Sequence, residues 1–191
     1  MSQILKMHLD KFIMISQEEF EDIFSFFQHH TIRKKENLLV EGQICKQNYF
    51  VSKGILRKFF VNGKGMEQTI EFAIENWWMT DTFSFLQQSP SGFYMQAVEN
   101  TEVYSISRDA QERLLTKHPE MEKYFRCVYQ KAYAAAQMRI KFLYDFSREE
   151  LYLNFSKNYP DFLQRVPQYL IASYLNFTPE YLSEIRRKNV S

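Results

Sequence analysis

Cysteine is nearly absent from this sequence: Cys45 and Cys127 are the two it has, and they lie far apart. Without a Cys-x-x-Cys pair there is neither a zinc ribbon nor an iron–sulfur cluster held by four thiolates. Nothing supports a disulfide framework, so a reducing cytoplasm is the expected compartment. Long apolar runs are missing too. None approaches the roughly 20 residues of a membrane span, and the first residues mix polar and apolar types with no signal-peptide core. A soluble protein with no membrane partner is expected. Charge of one sign is also lacking. Lys plus Arg number 24 against 23 Asp plus Glu, a formal +1, so any attraction to nucleic acid has to be local. The concentrated basic run near the end is Arg186-Arg187-Lys188. From Thr31 to Ser107 there is no histidine. This argues against a small metal-dependent β-barrel enzyme, whose His and carboxylate ligands converge on an ion. A Gly-rich phosphate loop and a Ser-His-Asp or Cys-His pairing are likewise missing. The expectation is no catalytic residue, no metal and no cofactor.

What is present is a large apolar fraction, 45%, with aromatics at 17%, so packing should lean on rings. Ser16-Gln17-Glu18-Glu19 reads as a capping box opening a helix, with Phe20, Ile23, Phe24 and Phe27 on one face. From Thr31 the pattern changes to short β-rich runs around 38–40, 49–51, 55–61, 68–73, 92–98 and 101–106. Asn62-Gly63-Lys64-Gly65 is a hairpin signal, because Asn and Gly tolerate positive φ. Strands this short and this closely spaced suggest a roll or barrel rather than a parallel sheet. Ser107 N-caps a further helix ending near His118.

Pro119 then opens a long helix reaching about Phe146, since a proline at the first helical position sacrifices no hydrogen bond. Met121, Phe125, Val128, Ala132, Ala135, Phe142 and Phe146 recur in steps of four and three, broken by Arg139. That is the coiled-coil period. A helix this long cannot bury its whole length on one small domain, so these positions are expected to form a symmetric dimer seam. Ser147-Arg148-Glu149-Glu150 starts another helix with a second capping box.

The segment Gln168–Lys188 has the form of a helix-turn-helix. Ile171, Leu175, Phe177, Leu182 and Ile185 supply buried positions, and Ala172 is small where two helices approach. Asn176 sits at the turn, where it tolerates the left-handed conformation. Thr178 is an N-cap and Pro179 the first helical residue. Glu180, Tyr181, Ser183, Glu184 and Arg187 are then expected on or near the outer face. Residues at the start of such a helix reach into the major groove. Glu180 would accept from a cytosine amino group, and Arg187 or Arg186 would meet guanine or phosphate. The expected DNA-contacting set is Gln168, Thr178, Pro179, Glu180, Tyr181, Ser183, Glu184, Arg186, Arg187 and Lys188.

Helices, a β-rich region, a long helix and a terminal helix-turn-helix, in that order, resemble the cyclic-AMP receptor protein and Fnr (Crp/Fnr) family over nearly the whole chain. Asn48-Tyr49-Phe50-Val51-Ser52-Lys53-Gly54 is similar to the family's strand-and-turn motif. Gln164–Leu175 running into Thr178–Ser183 is similar to the short Crp-like regulators of Bacteroidetes. The resemblance implies an α+β chain. Its parts would be a double-stranded β-roll like that of cyclic-nucleotide-binding domains with N-terminal helices (1–118), a dimerisation helix (119–146) and a helix-turn-helix (147–191). It implies a homodimer on double-stranded DNA, recognition helices roughly 34 Å apart, a small-molecule effector in the roll and, for an activator, RNA polymerase as a partner.

The departures shape the expectations. Family members that bind cyclic nucleotides carry a Gly-Glu pair for the ribose and, further on, an arginine for the phosphate. Here those places read Thr80-Asp81 and Ser91-Gly92. Asp81 takes the place of the glutamate, but Ser91 supplies no positive charge, and a buried phosphate without one is costly. Tight cyclic AMP binding is not expected. The expected effector pocket comprises Asp81, Ser91, Gly92, Phe72 and Phe83, with Trp78 and Phe85 nearby; the rings are equally good core residues. Cluster-binding cysteines are absent. His8, His29, His30 and His118 are expected on helices or helix ends, solvated rather than bound to haem. In the recognition helix Glu180 matches the family's glutamate, while Pro179 and Glu184 replace its flanking arginines, so a different operator is expected. The resemblance also implies a C-terminal β-wing, which is expected to be missing here. Two other readings stay open: a metal-dependent β-barrel enzyme, and an effector-binding or interaction module whose helix-turn-helix has no DNA role.

Overall fold

Two four-stranded antiparallel sheets form the centre of the computed structural model, which describes residues 3–189. The helices α1 (Gln3–Leu9) and α2 (Gln17–Phe24) precede β1 (Gln28–Ile32), β2 (Asn37–Leu39), β3 (Gln47–Lys53), β4 (Leu56–Val61), β5 (Glu67–Ala73) and β6 (Trp78–Met79). A short α3 (Thr82–Gln87) leads to β7 (Tyr94–Ala97) and β8 (Thr101–Ser107). Then come α4 (Arg108–Lys117), the long α5 (Glu120–Asp145), α6 (Arg148–Asn158), α7 (Pro160–Arg165), α8 (Gln168–Leu175) and α9 (Pro179–Asn189). The first sheet has the order β1-β8-β3-β6 and the second β2-β7-β4-β5, so β5 is an edge strand.

Local chemistry fixes most boundaries. Both capping boxes form: the Ser16 and Ser147 hydroxyls accept from the amides of Glu19 and Glu150, whose carboxylates return the bond. Ser107 caps α4. In the β4–β5 hairpin, the Asn62 carboxamide oxygen accepts from the amides of Lys64 and Met66, and Gly65 takes φ +75°. Gly54 is more constrained. At φ +94°, a Cβ there would lie 2.6 Å from Thr101 Oγ1 and 2.9 Å from the Asn100 carbonyl.

Apolar residues gather in three clusters. Between the sheets lie Leu39, Cys45, Val51, Leu56, Ala73, Met79, Phe85, Met95, Ala97 and Val103. Outside the first sheet, Phe50, Tyr104 and Ile106 pack under α1, α2, α4 and the first two turns of α5. Outside the second sheet, Ile55, Phe72 and Val98 join Tyr152, Val166, Leu170, Ile171, Ala172, Leu175, Leu182 and Ile185. The C-terminal helices therefore share a core with the roll. Among the described residues, no helix is long and apolar enough to cross a membrane.

The histidines differ from the sequence expectation. His29 and His30 lie on β1 rather than on a helix. His8 is buried against Tyr124, and His118 is held between Asp22 and Glu120, because each found a polar partner on a packed helix.

Candidate nucleic-acid interface and sensor site

The helix-turn-helix is α8, the turn 176–178 and α9. Asn176 takes φ 61°, ψ 41°, the left-handed conformation that closes α8, and the Phe177 amide returns to the Ala172 carbonyl. Thr178 Oγ1 accepts from the Tyr181 amide at 3.3 Å, and Pro179 begins α9. Leu182 and Ile185 are buried in the shared core; each contributes about 2 kcal/mol by leaving water. With those two inward, helical spacing puts Glu180, Ser183, Glu184 and Arg187 together on the opposite, exposed face.

The remaining expected contacts divide. Arg186 and Lys188 flank that face and are exposed, as is Gln168 at the start of α8. Glu184 and Lys188 pair at 2.9 Å, which holds the carboxyl below its usual range and raises the ammonium. The Ser183 hydroxyl donates to the Pro179 carbonyl. Tyr181 is the exception to the expected outer face. It is half-buried and packs edge-on against Phe177, with the Arg148 guanidinium 5.5 Å from its ring centroid. The basic last turn also complements the negative end of the helix dipole, so its charge has a structural use as well.

The sensor positions do not converge as expected. Asp81 is buried and caps α3, accepting from the Ser84 amide. Its second oxygen accepts from the Ser91 hydroxyl at 2.6 Å. The two residues thus satisfy each other, and Gly92 beside them is exposed. Phe72 and Phe83 do not line this place. Phe72 faces outward from β5 against Phe162 and Tyr174. Phe83 is 71% exposed, because α3 is short and buries its Ser84–Phe85 side instead. Phe85 belongs to the filled interior, and Trp78 packs outside the first sheet. A cation close by is Lys58 on β4, which donates to the Thr80 carbonyl at 3.0 Å and pairs with Glu71 at 2.5 Å. Its charge is spent on that carboxylate. A cyclic nucleotide needs a free cation for its phosphate and an acceptor for its ribose; these residues do not fit it.

Several of the heptad positions of the long helix pack within the chain itself. Met121 and Phe125 are buried in their own chain's core, and Val128 packs against it. Towards the other end Arg139 reaches Tyr174, and half-buried Phe142 stacks on Phe146. Ala132 and Ala135 are exposed. The same heptad face is thus used within the chain at both ends. About a quarter-turn away, Tyr129, Tyr133, Ala136, Ile140 and Leu143 recur in steps of four and three and are all exposed.

Sequence reasoning missed the contacts that seat the helix-turn-helix. The Ser173 hydroxyl donates to the Glu67 carbonyl and accepts from the Thr69 amide, both at 2.8 Å. Arg165 bridges Glu75 and Glu99 at 2.8 and 2.5 Å. Arg139 Nη2 donates to the Tyr174 carbonyl at 2.7 Å, its guanidinium 3.7 Å from the Tyr174 ring centroid. The available signal was Arg139, the one polar break in the heptad run.

Residues 29–118 match the family model for the cyclic nucleotide-binding domain. No curated protein sequence matches the chain. Among solved structures, the chain is similar to the catabolite activator protein of Thermus thermophilus (18% identity, 91% of this chain and 83% of that one, TM-score 0.57). It is also similar to FixK2 of Bradyrhizobium japonicum (17%, 85% and 83%, 0.72). A third likeness is to CLP of Xanthomonas campestris, described as a c-di-GMP-responsive global regulator (10%, 91% of each chain, 0.74).

Proposed function

We propose that this chain, which carries a cyclic nucleotide-binding domain over residues 29–118 and the fold of the Crp/Fnr regulators, is a DNA-binding transcription regulator acting as a homodimer in the cytoplasm. The observation that carries the reading is the build of α9. It is a capped helix after a left-handed Asn176, with Leu182 and Ile185 inward and Glu180, Ser183, Glu184 and Arg187 on one open face. A helix so presented fits the major groove, with Glu180 accepting from a cytosine amino group and Arg187 donating to guanine or phosphate.

In this reading 1–118 is the sensor, 119–146 the dimer helix and 147–191 the DNA-binding unit. The second copy seats on the stripe from Tyr129 to Leu143. The roll takes an effector other than a cyclic nucleotide, since Asp81 and Ser91 are engaged with each other. As an activator the dimer would contact RNA polymerase. A role as regulator rather than enzyme is supported by the fold of its neighbours.

The two carboxylates on the α9 face favour one competing reading: an effector-binding or interaction module with no sequence-specific DNA role. Anisotropy titration against genomic DNA fragments across a salt series separates them. Regulation predicts specific binding with a negative log–log salt slope, and footprints altered by Arg187→Ala and Glu180→Ala. Absence of salt-dependent binding refutes the reading. An unchanged footprint in both variants refutes the assigned base contacts.

A further inference from the structure

The last carbonyls of a helix have no partner within it, and at the end of α8 two of them are taken by different parts of the molecule. The Gln68 side chain on β5 donates to the Ser173 carbonyl, and Arg139 on α5 donates to the Tyr174 carbonyl. The Ser173 hydroxyl adds a donor and an acceptor to the open edge of β5 at Glu67 and Thr69. These contacts fall directly before Asn176, where the chain turns into α9. We propose that Ser173 and Arg139 are positioning residues for DNA recognition: they hold the turn between roll and dimer helix and so set the angle at which α9 meets the duplex. The inference rests on the DNA-binding reading.

Neither residue lies on the outward face of α9, so both act through that helix's placement and leave the phosphate contacts intact. The roll then addresses the helix-turn-helix directly through β5, in addition to any signal along α5. Lys58 ties β5 at Glu71 to Thr80, the neighbour of Asp81, so a change at α3 has a physical connection to the same strand.

The test uses the full chain and duplexes that the wild-type protein selects from a random-sequence library. Ser173→Ala and Arg139→Ala are expected to lower affinity about five- to tenfold, the worth of one or two lost hydrogen bonds. The salt slope should be unchanged, and half-site spacing should be less strictly preferred. Arg139→Lys, which retains a donor, should recover part of the loss. Amide exchange without DNA reads the contact itself: Thr69 should lose protection in Ser173→Ala. Unchanged affinity and spacing in both alanine variants overturn the positioning role, as does a salt slope reduced by about one in Arg139→Ala, which would mark a phosphate contact. Equal exchange at Thr69 removes the β5 link. A wild-type chain that selects no sequence overturns the DNA-binding reading itself, and the positioning role with it.

Discussion

His8 Nδ1 lies 2.8 Å from the Tyr124 hydroxyl, which also accepts from the Trp78 indole N–H. With the proton on Nε2, the neutral imidazole accepts from the Tyr124 hydroxyl through Nδ1. Burial, with Lys11 and Lys131 nearby, lowers the His8 pKa from 6.5 to about 4. Native His8 stays neutral where the unfolded chain's histidine has taken up a proton. It costs no stability above about pH 6.5 and costs progressively more as the pH falls towards 4. Between pH 7.5 and 5 the loss is about 2 kcal/mol. Urea unfolding at the two pH values measures it, and His8→Gln is expected to flatten the difference.

Gly54→Ala tests the turn after β3. A methyl group there meets Thr101 Oγ1 and the Asn100 carbonyl at a left-handed φ. Strain and overlap add, so a loss of about 3 kcal/mol is expected in chemical denaturation. A loss below about 0.5 kcal/mol would show that the neighbouring loop yields freely.

The proposed dimer seam is tested by charge placed on two sides of α5. Ile140 is 56% exposed within the stripe, whereas Met138 is 46% exposed on another face. Sedimentation of Ile140→Asp is expected to show monomers, and Met138→Asp should remain dimeric. The opposite pattern would move the partner to the Met138 face.

Cyclic AMP is expected to show no micromolar binding in calorimetry. The Asp81 carboxylate already serves Ser84 and Ser91, and Lys58 serves Glu71. Micromolar affinity would mean that both arrangements reopen readily around the ligand.

Features that depend on a few adjacent residues were legible in the sequence. Ser16, Ser107, Ser147 and Thr178 cap the helices they precede, and Asn176 turns left-handed, because each signal is satisfied by neighbours within a few positions. The two-residue β6 and the exposed ends of α3 carried too little periodicity to be read. That the first heptad positions of α5 pack on their own chain was not legible for another reason. Periodicity reports which face is apolar, and Met121, Phe125 and Val128 are apolar because they cover their own roll. Likewise, nothing local to Phe72 or Tyr181 says that a distant helix or turn will claim the ring. Ser173 carries no pattern at all; its role exists only once β5 lies beside it.

The edge of β5 carries a cost for any movement of the C-terminal helices. While α8 is seated, the Thr69 N–H and Glu67 C=O are engaged by one serine hydroxyl. Lifting α8 would leave a bare ladder edge, with Phe72 stripped of Tyr174. Such an edge invites pairing with a strand from another molecule, so the seat of α8 also guards against self-association at high concentration.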